Sequence, residues 1–228
     1  MKRTLTVIAV IAALATMAFA QGAATAPKSS PSGGVTNVEN VTNYVVENFE
    51  MATAWEAAMP RDQGIISLLR KEGGPADVRS KGEDANRFIV GLKVEYFRTG
   101  YNWFSAVPPR PIKIPGITKQ LSVWVAGRNY EHRLYFVISD FYGQVNMLGN
   151  EKLNFTGWKQ VTAQISPFLP QDEYHSSTER GIHLRGLRIE CDPLFTHGKY
   201  YVYFDDIVAE TDLYLENFRD ADDPSDDW

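Results

Sequence analysis

Ten short runs of this chain repeat one pattern, in which apolar, β-branched or aromatic residues alternate with polar ones and turn residues intervene: YVVENFE, RFIVGLKVEYF, YNWFSA, RPIKI, QLSVWVAG, RLYFVISD, GQVNML, GWKQVTAQI, GLRIEC and YYVYFDDIVA. Successive side chains of a strand point to opposite faces, so a period of two marks strands that lay one face on a core. Strands this short and closely spaced predict an all-β chain, an antiparallel sandwich or barrel. Five sets are in phase and form the predicted core: Phe88, Val90, Leu92, Val94 and Tyr96; Leu121, Val123 and Val125; Leu134, Phe136 and Ile138; Val161, Ala163 and Ile165; Leu187 and Ile189. Asp140 to Gly143 reads as a hairpin connection. Phe49 to Met59, stopped by Pro60, reads as a short helix or as the loop after the first strand. Residues 166 to 182, with Pro167 and Pro170, read as an exposed loop.

The last run, YYVYFDDIVAE, carries two adjacent aspartates within a buried-strand pattern. Strict alternation sets Asp206 on the core face with Val202, Phe204 and Val208, and sets Asp205 on the other face with Tyr201, Tyr203 and Ile207. A buried carboxylate must find backbone N–H groups, a cation or a metal, or else bind a proton. Glu47 and Glu50 end the first strand. If first and last strands are neighbours, Glu47, Glu50, Asp205 and Asp206 could converge on one calcium ion, which takes six to eight hard oxygen ligands. The alternative is that the acids accept backbone hydrogen bonds and pin a loop without metal.

The ends of the chain differ in composition from its middle. Lys2 and Arg3 precede an apolar run that closes on Ala18-Phe19-Ala20, the order of a secretory signal peptide over residues 1–20. That run is too short for a membrane span, and no other stretch approaches the roughly 20 apolar residues a spanning helix needs. Residues 21–40 are rich in Ala, Ser, Pro and Gly and read as a flexible leader, 41–212 as the sandwich domain, and 213–228 as an acidic tail bearing Trp228. Removing Lys2 and Arg3 from 23 basic residues leaves 21 against 28 acidic ones, a net charge of −7. That balance argues against a nucleic-acid partner. Cys191 is the single cysteine, so no intramolecular disulfide forms, and its strand context predicts a buried thiol. An exported chain without disulfides fits a bacterial periplasm.

Candidate binding residues are the aromatics out of phase with the core: Trp124, Tyr135, Tyr201 and Tyr203. If their strands share a sheet, its outer face is an aromatic platform suited to a protein interface or to stacking on sugar rings; the alternative is a second small core under loops. Signals for catalysis are weak. His132, His175, His183 and His197 lack metal-ligand spacing, and neither a nucleophile elbow nor a glycine-rich phosphate loop is present. The expectation is a protein that is not an enzyme.

The order of ENFE, LSVWVAG, RLYFVISDFYGQ, FTGWKQVTAQI and RGLRIECDPLFTHGKYYVYFDDIVAETDLY resembles, at the level of fold, the galactose-binding-like jelly rolls of carbohydrate-binding modules. Its closing segment, LRIECDP to YYVYFDDI behind a secretory signal, looks more like the FlaA family of spirochaete periplasmic flagella, the outer-layer or sheath proteins. That resemblance implies a jelly-roll sandwich in the periplasm that coats a flagellin core filament beside other sheath subunits and tunes the filament's shape, stiffness and motility. It supplies no catalytic residues. The competing reading is an exported carbohydrate-binding module, with a polysaccharide as partner.

Overall fold

The computed structural model describes residues 41–51, 54–79, 87–173, 175 and 179–213. Twelve strands make two antiparallel sheets. They are β1 (Val41–Glu47), β2 (Glu56–Ala58), β3 (Gly64–Glu72), β4 (Phe88–Tyr96), β5 (Asn102–Val107), β6 (Ile112–Pro115), β7 (Ile117–Arg128), β8 (Arg133–Ser139), β9 (Val145–Lys152), β10 (Thr156–Gln164), β11 (Gly181–Cys191) and β12 (Lys199–Asp212). A single helical turn, α1 (Ala76–Arg79), follows β3. The first sheet runs β10-β7-β12-β4-β3 with β1 also on β12; the second runs β2-β5-β11-β8-β9 with β6 also on β11. This is the expected jelly-roll type of antiparallel sandwich.

Each sheet is organised by one long strand that changes partner halfway. One edge of β12 pairs with β7 from Tyr203 to Asp212, while the other pairs first with β4, through Phe204, and then with β1, from Ile207. In the same way β11 pairs with β8 along one edge, and along the other with β6, through Leu184, and then with β5, from Leu187. Both handovers coincide with a β-bulge, at Asp206 in β12 and at Arg185 in β11. An extra residue shifts the side-chain phase by one. The core positions of β12 are therefore Tyr200, Val202 and Phe204, then Ile207 and Ala209; those of β11 are Ile182 and Leu184, then Leu187, Ile189 and Cys191.

The predicted core is present with one exception. Phe88 is half-buried at the rim, where the Arg70 guanidinium lies 3.6 Å from its ring centre. In the stretch after β1, the described residues past Trp55 form a strand, β2, where a short helix or a loop was the expectation. Phe49, with φ at 60°, turns into the core against Trp55, and Glu56–Ala58 pairs with β5. The Asp140 hairpin is as expected: Asp140 Oδ1 accepts the Gln144 N–H at 2.8 Å, and its carbonyl accepts the Gly143 N–H at 3.0 Å. The segment after β10 is better anchored than its composition suggests. The buried Gln171 amide accepts from Thr118 N–H at 2.8 Å and donates to Thr118 O at 2.9 Å, which extends the edge of β7.

A buried polar cluster closes the end of the sandwich where β12 begins. Asp192 N–H donates to His132 Nδ1 at 3.1 Å, which leaves the proton of a neutral imidazole on Nε2. Nε2 lies 3.3 Å from the Tyr96 hydroxyl, which in turn lies 3.3 Å from Cys191 Sγ. The neutral imidazole thus donates from Nε2 to the Tyr96 oxygen, while between Tyr96 and Cys191 either atom can be the donor. Burial lowers the His132 pKa to about 4 and pushes the Cys191 thiol up to about 12, so both are neutral near pH 7. Cys191 is the buried thiol that its strand context predicts.

Candidate functional site

The outer face of the β12 sheet carries the candidate residues, and the bulge sets their arrangement. Asp205 alternates with the core residue Phe204 and so points outward, and Asp206, with φ at 45°, lies on the same face beside Trp124 and Val208. This corrects the alternation read from sequence, which placed Asp206 and Val208 inward and Ile207 outward. Ile207 is the core residue. Of the two aspartates, Asp205 is the more deeply buried, at 1 % exposure against 6 % for Asp206.

Among the described residues neither Asp205 oxygen has a hydrogen-bond partner. Burial, then the Asp206 charge, and more weakly Glu50, raise its pKa to about 7; the Asp206 N–H offsets part of the rise without reaching normal hydrogen-bond geometry. Glu47 and Glu50 are already engaged. Glu47 accepts from Phe49 N–H at 2.8 Å and from Trp55 Nε1 at 3.1 Å, and Glu50 accepts from Phe88 N–H at 2.8 Å and from Arg87 N–H. Among the described residues no three His, Cys, Asp or Glu side chains gather into a group able to hold a metal ion. The four acids therefore do not fit the calcium cage they suggested. Loop pinning describes Glu47 and Glu50, whereas Asp205 has no such partner.

The four aromatics do not make one platform. Tyr135 belongs to β8 in the other sheet, where its hydroxyl donates to Asn150 Oδ1 at 2.9 Å. Trp124, Tyr201 and Tyr203 do share a face but differ in exposure. Trp124 is half-buried in an open groove of about 530 Å³ with Asn43, Gln120, Gln160, Asp206 and Glu210. Tyr201 is also half-buried. Tyr203 is 9 % exposed and packs against Gly91, where a Cβ would meet its ring at 2.5 Å. Trp228 falls outside the described residues, as do the signal segment, the leader and most of the acidic tail.

Tyr203 is thus part of the packing as well as of the face. Tyr203→Ala is expected to cost about 3 kcal/mol of stability, in the range for deleting a buried aromatic ring, and Trp124→Ala clearly less. Chemical denaturation of the two variants measures this. Equal and small losses would show that the ring against Gly91 contributes nothing.

Fold and face together define a β-sandwich whose distinctive surface is a patterned sheet face, the arrangement of a binding or assembly module. Comparison with known proteins narrows the class. The model of the flagellar filament outer layer protein family, FlaA, matches residues 25–219, and a flagellar filament outer layer-like protein of Brachyspira hyodysenteriae is 50 % identical over 215 residues, covering 92 % of this chain and 100 % of that protein. The chain belongs to the flagellar filament outer layer family. Solved structures similar in shape include carbohydrate-binding modules. One from the β-sandwich superfamily has 12 % identity over 72 % of this chain and 60 % of its own, with a TM-score of 0.47. The family 11 module of a Clostridium thermocellum cellulase has 12 % identity over 78 % and 99 %, with a TM-score of 0.40. These are distant likenesses of shape.

Proposed function

We propose that this chain is a structural, non-enzymatic subunit of the outer layer of a periplasmic flagellar filament, where it contributes to filament shape, stiffness and motility. Family membership over nearly the whole sandwich carries this reading. The signal-like residues 1–20 support export to the periplasm, with a mature chain starting at Gln21. Partners on this reading are the flagellin core and other subunits of the layer. The outer face suits such a role, because half-buried aromatics set among charges are the residues that dominate protein interfaces.

The competing reading, an exported carbohydrate-binding module, has one observation in its favour. The Trp124 groove combines an aromatic face with the amides of Asn43, Gln120 and Gln160, a chemistry that suits hydroxyl-rich ligands. One experiment separates the two. Filaments isolated from the source cells are expected to contain this chain with Gln21 as its first residue, as read by intact mass. Absence from the filaments, together with retardation of the purified protein on immobilised polysaccharide, would overturn the structural reading.

A further inference from the structure

The outer face of the β12 sheet is electrically divided. Around Tyr201 and Tyr203, in the first half of β12, three cations stand over aromatic rings. Lys71 Nζ lies 5.4 Å from the Tyr203 ring centre and donates to its hydroxyl at 3.2 Å, the Arg128 guanidinium lies 6.0 Å from the same ring, and Lys93 Nζ lies 5.9 Å from the Tyr201 ring. None of the three is ion-paired with a carboxylate among the described residues, whereas nearby Lys199 is paired with Glu95 at 3.7 Å. From the bulge onward the same face turns acidic, with Asp206 and Glu210 around Trp124.

We propose that the basic half of this face, Lys71, Lys93 and Arg128 around Tyr201 and Tyr203, holds the acidic segment 216–228 of a second copy of the chain. The segment ENFRDADDPSDDW has six acids against one base and carries Trp228 beside Asp226 and Asp227. Its charge matches three cations that have no carboxylate partner among the described residues, and its indole matches a surface of tyrosine rings and guanidinium.

Geometry favours a neighbour over the chain's own face. The segment leaves the sandwich beyond Asp212, which lies about 30 Å along β12 from Tyr203 at roughly 3.3 Å per residue. Residues 214–228 span at most about 50 Å when fully extended, so they can reach. To do so within one copy, however, the acidic segment must run back over Asp206 and Glu210, where like charges repel. A neighbouring basic half presents no such barrier. Because the segment is tethered at the Asp212 end of β12 and the patch stands at its Tyr203 half, the segment of one copy on the patch of the next can repeat from copy to copy, as a filament layer requires. The inference therefore rests on the outer-layer reading.

The test is a charge swap in the full mature chain, read by sedimentation velocity at low salt. Lys93→Glu with Arg128→Glu reverses the patch; Asp222→Lys, Asp223→Lys and Asp226→Lys reverse the segment. All these positions are exposed or half-buried, or lie outside the described sandwich, so the melting transition should persist and is checked first. Each variant alone is expected to self-associate about tenfold more weakly than the unaltered chain, and an equimolar mixture of the two to recover association, an effect lost at high salt. Unaltered association by either variant, or no recovery on mixing, would overturn the proposal. If the swaps change nothing while the chain still coats isolated filaments, this inference fails and the outer-layer reading stands.

Discussion

Replacing Asp205 by asparagine is expected to leave stability at pH 4 nearly unchanged and to raise it at pH 8 by several kcal/mol. Asp205 is buried and, among the described residues, without a hydrogen-bond partner, and burial raises its pKa to about 7 in the fold, against about 3.9 in an unfolded chain. The folded state therefore binds the proton more tightly than the unfolded state. Its stabilising contribution is complete below the unfolded value and is lost as pH rises through the folded one. At about 1.4 kcal/mol per pKa unit, the loss between pH 4 and pH 8 is roughly 4 kcal/mol. Asparagine is a neutral isostere, so it matches the protonated acid at low pH and escapes the loss at high pH.

His132 acts in the opposite sense, which makes the experiment sharper. Burial holds its pKa near 4 in the fold, below the unfolded value of about 6.5, so its contribution is complete above the unfolded value and is lost as pH falls toward 4. Between pH 4 and 6.5 the two groups nearly cancel, and the unaltered protein should show a shallow profile. Asp205→Asn removes one slope and uncovers the other, so its stability should climb by about 3 kcal/mol from pH 4 to pH 7. Chemical denaturation across this range decides the matter. A variant no more stable than the parent at pH 8 would mean that Asp205 is ionised and solvated in the fold.

What the sequence made legible was whatever obeys a strict period. Leu121, Val123 and Val125, or Leu134, Phe136 and Ile138, sit in uninterrupted stretches of their strands, and their faces follow from counting. The bulge in β12 defeated counting at the point of interest, because Asp206 resets the phase while leaving composition unchanged. GIISLLRKE escaped notice as β3 because an edge strand exposes Ile65 and leaves Leu68 and Leu69 equally half-buried, so no period stands out. The candidate face was legible only in part. Trp124, Tyr201 and Tyr203 share it, but Tyr135 looked equivalent because alternation tells which face of a strand is outward and not which sheet holds the strand. The cations over the tyrosines were invisible, since Lys71, Lys93 and Arg128 come from three strands that only the fold brings side by side.

The handover in the second sheet carries the other large effect. At Gly186 the β11 strand leaves β6 for β5 with φ at 145°, and a Cβ there would stand 2.4 Å from the Ala106 carbonyl oxygen of β5. Backbone cannot swing aside as a side-chain tip can, so alanine must either push β5 from the centre of the sheet or move the bulge. Strained φ in a residue with a Cβ costs about 1–3 kcal/mol, and overpacking against fixed neighbours adds about 1–3 more. Gly186→Ala is therefore expected to lose about 4 kcal/mol. Gly143 provides the control: its φ is 83°, but nothing lies within 4 Å of the added carbon, so Gly143→Ala should lose only the conformational part, about 1 kcal/mol. Denaturant titration of both variants separates steric from conformational cost. Equal losses would mean that β5 yields freely at Ala106, and that the bulge in β11, unlike the one in β12, does not fix the strand beside it.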